Sequence, residues 1–207
     1  GGSASQDQYN RRLEKSIGAF DQTHALKLST LYELPFGRGK KWLGSGRVVD
    51  VLLGGWRIGA IQTYLSGFPV ALARNNPFPI FNGVTRPLIP SYDNWRAPIR
   101  GEEFDPAVDT FLNRSVFPAQ PNDRFGNATR FNPKVRGFPA FNENISLAKS
   151  FHFSESKRLD FRWEAFNLFN RTVFGTGITN LNSNVFGVVT NQVNTARQMQ
   201  VALKLYW

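Results

Sequence analysis

The sequence predicts an all-β fold of antiparallel strands joined by long loops. Three observations carry this expectation. Five stretches, near residues 23–34, 55–66, 142–153, 158–169 and 196–207, alternate apolar with polar residues at period two, which puts the two sets on opposite faces of a strand. Aromatic residues make up 14% of the chain, 19 of them Phe, beside 18 Gly and 12 Pro, a composition that favours pleated sheet and turns over helix. The stretches between some of these strands are long, proline-rich and without period. A soluble sandwich shows alternating faces. So does a membrane barrel, whose strands of about 9–11 residues turn apolar side chains to lipid and polar ones to a lumen.

The elements follow in order. Residues 1–20 are polar and aperiodic, as in a loop or a strand end. In the first strand Leu26, Leu28, Thr30, Tyr32 and Leu34 share one face, and Lys27, Ser29 and Glu33 the other. Pro35-Phe36-Gly37-Arg38-Gly39-Lys40 ends it, because Pro has no N–H for a ladder and Gly permits a tight reversal. In the second strand Trp56, Ile58, Ala60 and Tyr64 lie opposite Arg57 and Thr63. Trp56 and Tyr64, near opposite ends, suit the two aromatic girdles of a membrane barrel, and equally the aromatic packing of a soluble sheet. Phe68–Pro139 holds most of the prolines and is expected to be one long, semi-ordered loop. Such a loop counts against a compact soluble domain, but fits the extracellular side of a barrel.

A hairpin with long arms follows. Phe141–Phe153 is one arm, Ser154-Glu155-Ser156-Lys157 the turn and Arg158–Phe169 the other arm. In the second arm Leu159, Phe161, Trp163 and Ala165 face one way, and Arg158, Asp160, Arg162 and Glu164 the other. Gly175–Thr195 is a further loop. The last strand sets Met199, Val201, Leu203, Leu205 and Trp207 against Gln198, Gln200, Ala202, Lys204 and Tyr206. No helix is expected. One residue breaks the pattern: Lys149 shares its parity with Ile145, Leu147, Phe151 and Phe153. A lysine in mid-membrane on a lipid face costs roughly 2–4 kcal/mol. Either a bulge switches the register there, or the Lys reaches the interface, or the face does not meet lipid.

The totals exclude several classes of function. The chain of 207 residues has no cysteine, so it has no disulfide framework, thiolate metal site or Cys nucleophile. The apolar run between Arg57 and Arg74 is too short and polar for a membrane-spanning helix, and the first residues lack the apolar core of a signal peptide. The net charge of +10 is dispersed over turns and loops with no nucleic-acid-binding motif, so no nucleic-acid partner is expected. His24 and His152 stand far apart in no metal-ligand spacing, and Gly37-Arg38-Gly39-Lys40 lacks the spacing of a phosphate-binding loop. Glu102, Glu103, Asp105 and Asp109 read as a solvated acidic loop rather than a calcium site or a catalytic carboxylate pair. The chain is not expected to be an enzyme, and no metal or cofactor is implied.

Three segments carry a family likeness. In the first, Asn142, Asn144, Ser146, Leu147, Lys149 and Phe151 are followed by Arg162, Glu164, Phe166, Asn167, Leu168, Phe169 and Asn170. The second is His24 with LSTLYELPFGRGKKWL, and the third Gly54-Gly55-Trp56 with Leu65-Ser66-Gly67-Phe68-Pro69. Together they resemble the C-terminal region of TonB-dependent outer-membrane receptors of the Oar-like type, from about His24 onward. The resemblance implies that residues 1–207 are the C-terminal part of a barrel of about 22 strands, with the export signal, plug and TonB-binding segment upstream. It implies outer-membrane lipid, the barrel-assembly machinery, the TonB system and a bulky solute, taken up or exported, as partners. The last strand of such a barrel ends in the periplasm. The turn at 154–157 is then periplasmic, and the loops 68–139 and 175–195 lie outside the cell. The terminal Trp207 resembles the C-terminal signal read by the barrel-assembly machinery, which more often ends in Phe.

The candidate site residues follow from the faces. Asp160, Arg162 and Glu164, with Gln198, Gln200 and Lys204 on the neighbouring strand, are the lumen-facing candidates, expected to form a cross-strand ladder of charge pairs and hydrogen bonds. Tyr92, Trp95 and Phe125 are the candidates for recognition by the long loop, as stacking residues or as packing anchors. Two other functions remain open: a soluble β-sandwich binding module, for instance for carbohydrate, and an outer-membrane adhesion or structural barrel without transport.

Overall fold

The computed structural model describes residues 5–37, 39–42, 46–75 and 85–207. Arg38 of the expected first turn, and Pro77 and Pro79 of the expected long loop, lie outside the described residues. The chain divides into two compact units. One is the sheet, made of His24–Leu65, Ala140–Thr172 and Asn194–Trp207. The other gathers Gly1–Thr23, Ser66–Pro139 and Val173–Val193.

The sheet has five strands: β1 (Ala25–Glu33), β2 (Arg57–Leu65), β3 (Ala140–His152), β4 (Arg158–Phe166) and β5 (Gln198–Tyr206). Their spatial order is their chain order, and every neighbouring pair is antiparallel. The connections β1–β2 and β3–β4 therefore leave one end of the sheet, and β2–β3 and β4–β5 the other. The β3–β4 turn closes through Phe153 N–H to Lys157 O at 2.9 Å.

The register sorts the side chains as the alternation expects. Lys27, Ser29 and Glu33 of β1 share a face with Asn144, Ser146 and Ser150 of β3, Asp160 and Glu164 of β4, and Gln200 and Lys204 of β5. Leu26 and Leu28, Ile58, Ile145 and Leu147, Trp163, and Val201 and Leu203 share the other. On this apolar face Trp56 meets Phe161 edge-on at 5.8 Å near one end, and Tyr64 meets Phe141 at 5.8 Å near the other. Eight residues separate Trp56 from Tyr64, about 26 Å at about 3.3 Å per residue. At a strand tilt of about 35–45° this rises about 18–21 Å, most of a barrel's apolar band of about 25 Å between its aromatic girdles.

One short helix, α1 (Arg47–Leu53), lies in the β1–β2 connection, where none is expected. Its signal is weak in the sequence: it spans two turns, its N-cap is Gly46 with no side-chain cap, and three of its seven residues are Val. The turn before it is held by Phe36 and Trp42, whose rings are 5.8 Å apart, and by Gly37 at a φ of 104°. Asp50 Oδ1 lies 2.7 Å from where a side chain on Gly37 would begin, so glycine is needed there for space as well as conformation.

The second unit corrects the expectation of a semi-ordered loop. Its residues form isolated bridges and short 3-10 turns, at Arg11–Glu14 and Arg114–Val116, but they enclose a core. Val70, Leu72, Ile89, Phe111, Leu112, Phe117, Val135, Leu181, Phe186 and Val189 are buried together. Phe104, Phe138 and Phe174 pack against them with ring centroids 4.9–5.3 Å apart. The prolines keep these apolar residues out of any period, so they read as a loop while still supplying a core. Polar clasps close the unit. Buried Gln6 donates to Gly126 O and accepts from Arg86 N–H. The Arg86 guanidinium donates to Ala128 O at 2.7 Å and to Glu14 at 2.9 Å, and Arg130 reaches Glu14 Oε2 at 2.9 Å. Arg136 pairs with Asp21.

Candidate functional site

The polar face of β4 and β5 brings most of its candidates together. Asp160 stands opposite Lys204 and Glu164 opposite Gln200, with Ser150 and Ser146 of β3 on their other sides. The Gln200 amide donates to Glu164, and Arg162 pairs with Glu164 along its own strand. Arg158 Nε lies 3.1 Å from Asp160 Oδ1. The charges therefore pair along β4, and the Gln200 amide ties Glu164 to β5. Two candidates fall outside the ladder: Arg162 faces Ala202 and Ala148, and Gln198 faces Phe166 at the strand end. Tyr206, not singled out by the sequence, sits between two cations, with the Arg158 guanidinium 4.3 Å and the Lys204 ammonium 4.7 Å from its ring centre. The exposed Trp207 follows β5.

The apolar face holds two buried charges. The β3–β4 ladder runs unbroken through Lys149, and the β2–β3 ladder is regular as far as Ala148, so no bulge switches its register. Lys149 keeps the apolar face and its ammonium donates to Gly54 O in the β1–β2 connection, over the Trp56 and Phe151 rings at 5.3 and 5.0 Å. The charge is carried to the end of the sheet by its aliphatic stem. At the opposite end Glu143 is buried and accepts from Arg171 Nε at 3.0 Å. Asn167, at a φ of 51°, ties the same corner. It takes Asn144 Oδ1 with its N–H, gives its amide to Arg171 O and Thr195 O, and accepts from Arg171 N–H. Asn170 Oδ1 accepts from Arg197 N–H. The polar residues of the Phe166–Asn170 motif thus close a strand end, a role that spacing alone does not reveal.

The loop candidates lie in the other unit. Tyr92 and Trp95 pack against its core. Tyr92 Oη accepts from Thr129 N–H at 2.9 Å, and the Trp95 ring meets Phe111 at 5.4 Å, with the Arg96 guanidinium 4.9 Å from the first ring and 5.3 Å from the second. Phe125 is half-buried. In the acidic stretch Asp109 is buried and accepts from the N–H groups of Arg100 and Asp105, which organises a turn. Among the described residues no group of three His, Cys, Asp or Glu is placed to hold a metal, and no helix is long and apolar enough to cross a membrane.

A two-faced antiparallel meander with aromatic pairs at both ends of its apolar face fits the wall of a membrane barrel. A family model described as an outer membrane beta barrel domain matches residues 1–200, and the chain belongs to that family. Its place is the bacterial outer membrane. No curated protein and no solved structure matches the chain.

Proposed function

We propose that the protein forms the C-terminal part of the barrel of a TonB-dependent outer-membrane receptor that moves a bulky solute across the outer membrane. The observation that carries this reading is the joining of the segments that resemble such receptors. Lys149 of one is held by Gly54 and stacked on Trp56 of another, and Gly37 of the third lies against Asp50 and Gly54. Five strands are too few to close a barrel, since the smallest closed ones have about eight, so the wall draws on further strands.

Barrels of this kind keep short turns on the periplasmic side and long loops outside. The β3–β4 turn is then periplasmic, and the loops 68–139 and 175–195 are extracellular, where Tyr92, Trp95 and Phe125 first meet the solute. The polar residues Asp160, Arg162, Glu164, Gln200 and Lys204 face the lumen, against water or a plug. The plug and the TonB system supply selectivity and energy. The protein catalyses no covalent step. An adhesion barrel is the second reading, favoured by the core that these loops enclose, which suits a fixed surface better than a gating loop.

Depletion of solutes from the medium separates the two. Cells with the gene intact should remove at least one bulky solute that gene-deleted cells leave, and loss of TonB should abolish that removal. Unchanged depletion after both deletions, with loss of attachment to surfaces, would establish the adhesion reading instead.

A further inference from the structure

We propose that α1 and the turn before it form a foot that lies in the phospholipid leaflet at one rim of the barrel. The C-terminal end of α1 is fixed to the apolar face of the sheet. Trp56 Nε1 donates to Leu52 O at 3.0 Å, Trp56 packs edge-on against Phe161, and Lys149 holds Gly54 O. All three ties come from residues on the face that meets lipid, so α1 continues that face at its rim.

The helix turns Asp50 inward. The Asp50 carboxylate lies against Gly37 and Gly54, within the connection. Val48, Val51 and Leu52 fall at the i, i+3, i+4 spacing of one helix face, and that face is uncovered: Val48 is 71% and Leu52 60% exposed. Trp42 adds an exposed indole beside them in sequence. An exposed apolar stripe with Trp at its edge is the composition of an interfacial helix rather than of a solvated turn.

The charge around it selects the lipid. In sequence Arg38, Lys40, Lys41 and Arg47 lie around the stripe, against the two carboxylates Glu33 and Asp50. Lys40 pairs with Glu33 at 2.9 Å, and the Lys41 ammonium lies over the Trp42 ring at 5.4 Å. Cations next to an apolar stripe fit anionic phospholipid headgroups. The occupant is therefore the leaflet itself, with phosphate headgroups at Lys41 and acyl chains at Val48 and Leu52. This rests on the barrel's membrane location and not on the transport reading.

Single-cysteine spin labels test it, in outer membranes of cells making the protein from its complete gene in a cysteine-free background. Val48→Cys and Leu52→Cys give two independent reporters, Glu155→Cys marks the aqueous turn, and Leu203→Cys marks the lipid face of the wall. Labels at 48 and 52 should be relaxed by oxygen, which concentrates in lipid, more than by a water-soluble nickel complex, as at 203 and opposite to 155. Labels at 48 and 52 that behave like 155 overturn the foot. Shielding from both reagents also overturns it, and shows a protein partner or second copy covering the helix. A label at 203 in water overturns the barrel wall as well.

Discussion

Lys149 is the residue on which the sheet and its connection depend together. Its ammonium satisfies the Gly54 carbonyl, and its stem lies among Trp56 and Phe151. Lys149→Met keeps the bulk and loses the donor, so the cost is that of an unmet buried acceptor, about 1–3 kcal/mol. It should appear as a lower urea midpoint of the protein in lipid, and an unchanged midpoint would mean that the Gly54 bond contributes nothing. Glu14 plays the corresponding part in the other unit. The hydrogen bonds and charge of Arg86, with the Gln6 N–H and Arg130, hold its carboxyl at about 2, below its ordinary 4.5 and against the opposing effect of burial. A depressed carboxyl stabilises the fold above its unfolded value and loses that contribution as the pH falls from about 4.5 toward 2. The full contribution at neutral pH is about 3 kcal/mol. Glu14→Gln should therefore weaken the unit at pH 7 and change it little at pH 2, as read by urea unfolding across that range. Equal losses at both pH values would show that the ion pair is not the source.

At the scale of the strand, the two faces make opposite demands on the same substitution. Leu203 and Ala202 are neighbours near the middle of β5, one on each face. An arginine at Leu203 meets lipid and should cost about 2–4 kcal/mol. An arginine at Ala202 reaches the polar face, where repulsion by Arg162 opposite it should cost under about 1 kcal/mol. Equal effects in the two variants, measured by urea unfolding in bilayers, would mean that the faces are not different solvents. The Asn167 corner makes a second demand. Its left-handed backbone and its bonds to Arg171 and Thr195 suit Asn, so Asn167→Ala should lose at least about 2 kcal/mol by the same measurement. A loss below 0.5 kcal/mol, of the order of an ordinary surface change, would assign the motif some other role.

The strands were legible because period two is a local signal. The faces of β4 and β5 follow from parity alone, and Asp160 opposite Lys204 follows once the register is known. Three things were not legible. The α1 helix has only two turns and no side-chain cap. The Lys149 bond joins residues 95 apart in sequence, a separation that no local pattern reports. The core of the second unit draws Val70, Phe111 and Phe186 from segments with no period, so its order was hidden behind its prolines.

For the whole molecule, the meander of five strands is a section of wall rather than a closed structure. β1 and β5 are its two outer strands. Both must be paired in the assembled barrel, because unpaired backbone N–H and C=O groups are not tolerated in hydrocarbon. The central claim is that one face of this wall meets lipid and the other a water-filled lumen. The most direct test is a cysteine scan along β5, residues 198–206, in native outer membranes, with each position scored for labelling by a water-soluble maleimide. The account predicts period two: positions 198, 200, 202, 204 and 206 label, while 199, 201, 203 and 205 are protected. Equal labelling at both parities would contradict it and return the sheet to a soluble setting.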